Sequence, residues 1–412
     1  MKNGTSQREL GKVALEDVKV ADFSWILAGP ITTLCLAHYG ATVVRVESPE
    51  APDNLRFLPP LRAEGGINGS GYFAYLNANK YSMSVNLKHP KGLEVARKLV
   101  AWADIVVENF SPGTMSRLGL SYEDLKKIKD DIIMLSTSNQ GQTGPHAHVP
   151  GFGVQLTSFS GYTEITGWPD REPSPPFGGY TDLLAPRLAV AALMAALDFR
   201  NKTGKGIYLD LSQLEAAVYF LNPLIQDSIV NKTQIVRKGN RSSCAVPHGV
   251  YWCKGDDRWC AIAVSSDQEW KAFCSVIGKP DLADDPKFAT LRSRKEHEDE
   301  LDQITESWTI NLGPEEVMKA MQAAGVAAGV VQTSKDLCED VQLKEREQFW
   351  VLEHPVIGPC LHVGPSSKLE KTPAEARLPA PCLGQHTKYV CQEILGLTEQ
   401  QFMQLMKEGV FG

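Results

Sequence analysis

The chain has 412 residues, enough for two or three domains. Charged residues make up 22% and hydrophobic ones 43%, the mixture of a folded protein rather than a disordered chain. With 42 Lys and Arg against 49 Asp and Glu the formal net charge is −7, which excludes a broad basic surface for nucleic acid or an anionic bilayer. Nine cysteines, without a Cys-x-x-Cys pair, point to reduced thiols in a cytoplasmic setting and away from a structural zinc or other metal site. The first fifteen residues lack the apolar core of a secretory signal. The longest apolar run, Leu188 to Leu197, is about half of what a membrane span needs and reads as a buried core helix.

In chain order, Val18–Phe23 is a β-rich run, and Gly29 to His38 is helical in character with Pro30 near its start, where a missing N–H costs nothing. Thr42–Val46 is a second strand closing on Glu47, and Tyr81–Asn86 a third. Pro90 opens a helix through Leu99, and Asp104–Val107 is a fourth strand ending at Glu108-Asn109-Phe110. Tyr122–Lys127 reads as helix and Ile132–Ser136 as a fifth strand. This alternation predicts a largely parallel sheet with helices on both faces, which binds ligands at the carboxyl ends of its strands.

A long apolar helix follows, from Leu183 to about Arg200, stopped by Lys202-Thr203-Gly204. Ile207–Asp210 is another strand and Leu214–Val230 another helix. Near residue 235 the texture turns polar and small, as in linkers. A second unit carries strands near Val250–Cys253 and Trp259–Val264, and a helix opened by the capping box Ser266-Asp-Gln-Glu269. Lys295 to Asp302 mixes both signs and reads as a solvated helix face. Strands follow Val326–Val331, and a final helix over Glu399–Lys407 returns toward the first unit.

Three segments stand out. Ala28-Gly29-Pro30 after the first strand lacks the G-x-G-x-x-G of dinucleotide folds, so NAD is disfavoured and Gly29 reads first as a tight turn. In Glu108-Asn109-Phe110-Ser111-Pro112-Gly113, turn chemistry explains Pro112 and Gly113; Asn109 and Arg117 have the chemistry to bind an amide or a phosphate. Asp182, in Gly178-Gly179-Tyr180-Thr181-Asp182, precedes an apolar helix. Capping is its commoner role, and a carboxylate before a dry helix can instead act as a nucleophile.

The segments AGP (28–30), NANK (77–80), VENFSPG (107–113) with Arg117, GYTD (179–182), RNKTGKG (200–206) and PHGVYWCKGDDRW (247–259) occur in an order that resembles the class III CoA-transferases, from about Leu15 to the C-terminus. The resemblance implies a Rossmann-like large domain over 1–225 completed by 335–412, a smaller α+β domain over 226–334, and an interlocked-ring dimer or a heteromer with a homologous subunit. It implies Asp182 as the nucleophile that exchanges CoA between an acyl-CoA donor and a carboxylic acid acceptor, through a mixed anhydride and an aspartyl-CoA thioester. CoA enters as substrate, and no permanently bound cofactor is needed. An ordinary Asp is already ionised at neutral pH and needs no base. Gly178 and Gly179, or the stretch 239–243, would stabilise the oxyanion.

By the same matching, Leu27, Ala28, Arg45, Lys80, Asn109, Phe110 and Arg117 would lie along CoA, and the cations also suit phosphates. Trp25, Phe152, Trp168 and Tyr180 would line the acyl pocket, with Arg187 placed to pair with a second carboxylate. The TDLLAPR segment resembles the benzylsuccinate branch of the family, which implies an aryl- or alkyl-substituted succinate as acceptor and succinyl-CoA as donor. Two other readings stay open. The 2-methylacyl-CoA racemase branch uses a His–Asp pair, but Phe152 stands where its His would be, and His146 and His148 are offset from that position. A non-catalytic CoA-binding subunit is the other; the presence of Asp182 argues for an active chain.

Overall fold

The computed structural model describes residues 13–412. The chain forms two units, the first from residues up to 163, 175–234 and 342–412, the second from 164–174 and 235–341. The first is built on six parallel strands, β1 (Lys19–Asp22), β2 (Thr42–Glu47), β3 (Lys80–Ser84), β4 (Ile105–Glu108), β5 (Ile133–Ser138) and β6 (Ile207–Ser212), in the order β3-β2-β1-β4-β5-β6. The order reverses direction between β1 and β4, so the carboxyl ends of these neighbours open the crevice where ligands bind in such sheets.

Alternation along each strand supplies both cores. Val20, Val43, Ile105 and Ile133 face one side, under α1 (Ala28–His38) and the long helix described below. Ala21, Val44, Val106 and Met134 face the other, against α3 (Pro90–Trp102), α5 (Tyr122–Ile128) and the C-terminal residues Val390, Phe402 and Phe411. Shorter helices complete the unit: α2 (Gly71–Asn77), α4 (Thr114–Arg117), α6 (Gly153–Phe159) and α7 (Tyr162–Ile165), the last at the point where the chain leaves it. At Gly29 an added Cβ would lie 2.1 Å from that of Ser24, so the turn from β1 into α1 requires glycine.

α8 (Tyr180–Thr203) spans 24 residues and ends on Gly204 in the left-handed conformation. The expected helix over Leu214–Val230 is two, α9 (Gln213–Phe220) and α10 (Asn222–Asn231), because Pro223 cannot continue the first. A hairpin, β10 (Phe349–His354) with β11 (Gly358–Val363), belongs to the first unit as well.

The second unit pairs β7 (His248–Trp252), β8 (Trp259–Ala263) and β9 (Ala327–Val330) antiparallel. Trp270, Phe273, Phe288, Leu301 and Met321 fill its core beneath them. The capping box at Ser266 opens α11 (Asp267–Val276) as expected. The stretch Lys295 to Asp302 is not a uniform solvated face. The helix breaks at His297, Leu301 enters the core, and Glu298 is buried against Lys295 and Arg241. Among the described residues no helix is long and apolar enough to cross a membrane.

Candidate active site

Asp182 is the third residue of α8, and it does not cap it. The N-cap position is Gly179, with no side-chain bond, and the Asp182 amide donates to the Gly179 carbonyl at 3.0 Å. Four residues on, Pro186 lacks the N–H that would bond the Asp182 carbonyl, so this turn is held loosely by its own helix. The carboxylate sits in a nook made by two backbones. A Cβ added at Gly153, the first residue of α6, or at Gly179 would lie 2.3 Å from Asp182 Oδ2. Among the described residues nothing donates a hydrogen bond to it, and burial pushes its carboxyl up to about 6.

The carboxylate opens on a cavity of about 340 Å³ at the carboxyl ends of β1, β4 and β5. Of the residues expected from sequence, Leu27, Ala28, Asn109, Phe110 and Phe152 line it with Asp182. Ser138, Asn139, His148 and Gln213 line it too; none of these four stood out in the sequence as a site residue, although His148 was weighed and set aside on its offset. Tyr72 of α2 was also missed; the Asp182 carboxylate adds to the upward push that burial gives its phenol.

The cavity's front edge is a strained loop. Ile26 has φ +63°, a poor conformation for a β-branched residue. It is held there because its N–H donates to both Asp53 carboxylate oxygens, at 3.0 and 3.2 Å. The Asn109 side chain accepts from the Trp25 amide and donates to the Trp25 carbonyl, both at 2.7 Å. Asn109 therefore positions the loop as well as lining the cavity.

Arg45 and Lys80 do not serve as phosphate ligands. Both are wholly buried. Arg45 bonds Glu47, Asn77 and Asp53, and Lys80 bonds Asp22, Asn77 and the Pro30 carbonyl. Arg56 closes the network through two bonds to Glu47, at 2.9 and 2.7 Å. Through Asp53 this network reaches the Ile26 loop.

The other expectations divide. Trp25 meets Phe110 edge to face at 5.8 Å, and both line a smaller hollow of about 110 Å³ with Ser48 and Lys88. Arg117 is exposed on α4, donating to Thr114 Oγ1 at 2.7 Å, and lines neither. Tyr180 packs on Tyr162 rather than on the cavity. Trp168 belongs to the second unit, beside Gly239. Gly178 takes φ +68°, and Gly179 abuts the carboxylate. Arg187 is exposed, and its Nη1 donates to Cys35 Sγ at 3.3 Å.

The chain is similar to known proteins over nearly its whole length. The family model described as CoA-transferase family III matches residues 15–387. Succinyl-CoA:glutarate CoA-transferase of Mus musculus is 32% identical, covering 96% of this chain and 90% of the mouse protein. The beta subunit of succinyl-CoA–L-malate CoA-transferase of Chloroflexus aurantiacus is 30% identical, covering 96% and 98%. A CaiB/BaiF family crystal structure from Brucella suis superposes with a TM-score of 0.86 at 28% identity, covering 93% of this chain and all of that one. A match running over nearly the whole chain settles its place: it belongs to family III of the CoA-transferases, enzymes whose substrates are CoA thioesters.

Proposed function

We propose that the chain transfers CoA from succinyl-CoA to an aryl- or alkyl-substituted succinate, with Asp182 as nucleophile. The observation that carries this reading is a carboxylate that accepts no hydrogen bond from the described residues, lodged between two glycine backbones at the wall of a cavity. The carboxylate attacks the thioester carbonyl, the C–S bond breaks, and CoA leaves as thiolate from a mixed anhydride. The thiolate attacks the aspartyl carbonyl, releasing the donor acid as its carboxylate and leaving an aspartyl-CoA thioester. The acceptor carboxylate repeats both steps in reverse, so bonds and charge balance without net proton transfer. A nucleophile without hydrogen bonds needs no desolvation before it attacks.

CoA runs from the Asp182 cavity past Phe110 into the hollow that holds Lys88, and the exposed Phe152 faces the acyl side. Apolar side chains left exposed on α9 and α10, among them Tyr219 (69%) and Val230 (71%), support a two-chain assembly, as an interlocked homodimer or with a homologous subunit. Incubation with succinyl-CoA followed by hydroxylamine should leave a hydroxamate at position 182 by mass spectrometry; an unmodified Asp182 overturns the mechanism. A second reading, α-proton transfer of the racemase type, draws support from His148 sharing the cavity with Asp182. It requires deuterium wash-in from solvent at the α-carbon of a 2-methylacyl-CoA.

A further inference from the structure

Two of the polar side chains that line the Asp182 cavity are almost wholly buried: Ser138, 7% exposed, and Gln213, 4% exposed. Among the described residues, Ser138 Oγ and Gln213 Oε1 have no hydrogen-bond partner. The other two amides of the wall are already engaged. Asn109 Nδ2 donates to the Trp25 carbonyl at 2.7 Å, and Asn139 Nδ2 to the Gly151 carbonyl at 2.8 Å. A buried polar group without a partner lowers stability, so its place beside a nucleophile calls for an explanation.

The two residues are neighbours. Ser138 ends β5 and stands in register with Ser212, the last residue of β6; Gln213 follows Ser212 and opens α9. Adjacent strands lie about 4.8 Å apart, which puts the hydroxyl and the carboxamide on one patch of wall. Asn139 ties that patch to the nook of the nucleophile. Its carbonyl accepts from the Leu214 amide at 2.9 Å, and its side chain holds Gly151, two residues before the glycine that abuts Asp182 Oδ2. α9 also packs against α6 and α8, whose first turns carry Gly153 and Asp182. Gly179, by contrast, walls the nucleophile's own oxygen, and neither it nor Gly178 lines the cavity.

We propose that the Ser138 hydroxyl and the Gln213 carboxamide donate hydrogen bonds to the acyl oxygen while Asp182 attacks the thioester. As an Asp182 oxygen bonds to the acyl carbon, the carbonyl π pair moves onto the acyl oxygen. As the C–S bond breaks, that pair returns to the carbonyl and CoA leaves as thiolate. Full negative charge rests on the acyl oxygen only between these events, so donors fixed in a buried wall stabilise it more there than in the bound substrate. The carboxamide carries two N–H donors, and the hydroxyl turns to suit because no partner fixes it. The assignment rests on Asp182 being the nucleophile and holds for any acyl group.

A single turnover with labelled succinyl-CoA tests it, reading succinate release by rapid quench and the hydroxamate at Asp182 by mass spectrometry. Gln213→Leu should lower the maximal rate about 100-fold and Ser138→Ala about tenfold, with the half-saturating concentration within about threefold of wild type. Gln213→Glu sets a carboxylate against the developing charge and should be at least as slow as Gln213→Leu. Ser138→Thr keeps the hydroxyl and should recover most of the rate. Because both oxygens lack partners in the free enzyme, Gln213→Leu and Ser138→Ala should hold or raise the urea midpoint, which a role confined to the fold would lower. An unchanged maximal rate, a loss confined to half-saturation, recovery in Gln213→Glu, or a lowered midpoint in both variants overturns the proposal. Should wild type and variants label Asp182 equally fast, only the role of the two donors falls. Should the wild type release no succinate and leave Asp182 unmodified, the nucleophile reading and this one fall together.

Discussion

Two aspartates in the same unit, one fully and one partly buried, show how differently a carboxylate can be used. Asp22, at the end of β1, is pushed up by burial, but Lys80, Arg45, Ser24 and Thr33 more than offset this and hold it below the usual range. Asp182 has burial and nothing to oppose it, and stands raised at about 6. A carboxylate surrounded by donors is a structural strut, whereas one surrounded by glycine backbone keeps its lone pairs for substrate.

The widest gap between them is expected in stability. Asp22→Ala leaves Lys80 as an unpaired buried cation and should cost about 3–5 kcal/mol in urea unfolding. Asp182→Ala removes a desolvated, unbonded group and should leave the midpoint unchanged or raise it. A comparable loss from both variants would break the distinction. Next comes Gly153→Ala, whose new methyl would lie 2.3 Å from Oδ2 and displace the Asp182 carboxylate. Turnover should fall about 100-fold, the scale of a misplacement of about 1 Å, while the variant stays folded by circular dichroism. Turnover within threefold of wild type would show that the nook is not needed.

The smallest effect is the one read against pH. With Asp182 as the proposed nucleophile, transfer needs its ionised form, so kcat/KM should drop tenfold per unit below about pH 6, and a profile flat to pH 4.5 contradicts that assignment. The stability slopes of the two regions oppose each other. Folded Asp182 holds its proton to a higher pH than the ordinary 3.8, so between 3.8 and about 6 its contribution becomes less favourable as pH rises. Glu47, pushed up by burial and drawn down further by Arg45 and Arg56, sits at about 2. Its contribution is complete above its ordinary 4.5 and is lost as pH falls toward 2.

The sheet was legible because its strands are short β-branched runs between helices with recognisable ends. The final helix, Glu399–Lys407, could be bounded from its residues alone, and the Ser266 box marked the start of α11. The helix break after Phe220 was also written in the chain, as Pro223, and was overlooked. Arg45 and Lys80 misled because a cation's partner is set by tertiary pairing. Sequence shows that Lys80 carries a charge, but not that Asp22 waits 58 residues away to meet it. Asp182 stood out by resemblance to a family, and its local pattern favoured a cap. The absence of a capping bond, and the approach of Gly153 from a separate segment, are facts of three-dimensional folding that no spacing rule contains.

The pairing of Gly153 with Gly179 bears on assemblies in which one chain works and a sister chain is silent. Because two distant segments must both leave room for a single oxygen, a bulkier residue at either glycine is expected to slow the reaction while the acidic residue itself survives. In a set of paralogues, an intact Asp at this position paired with a bulkier residue at either glycine would identify the member kept for assembly rather than for turnover.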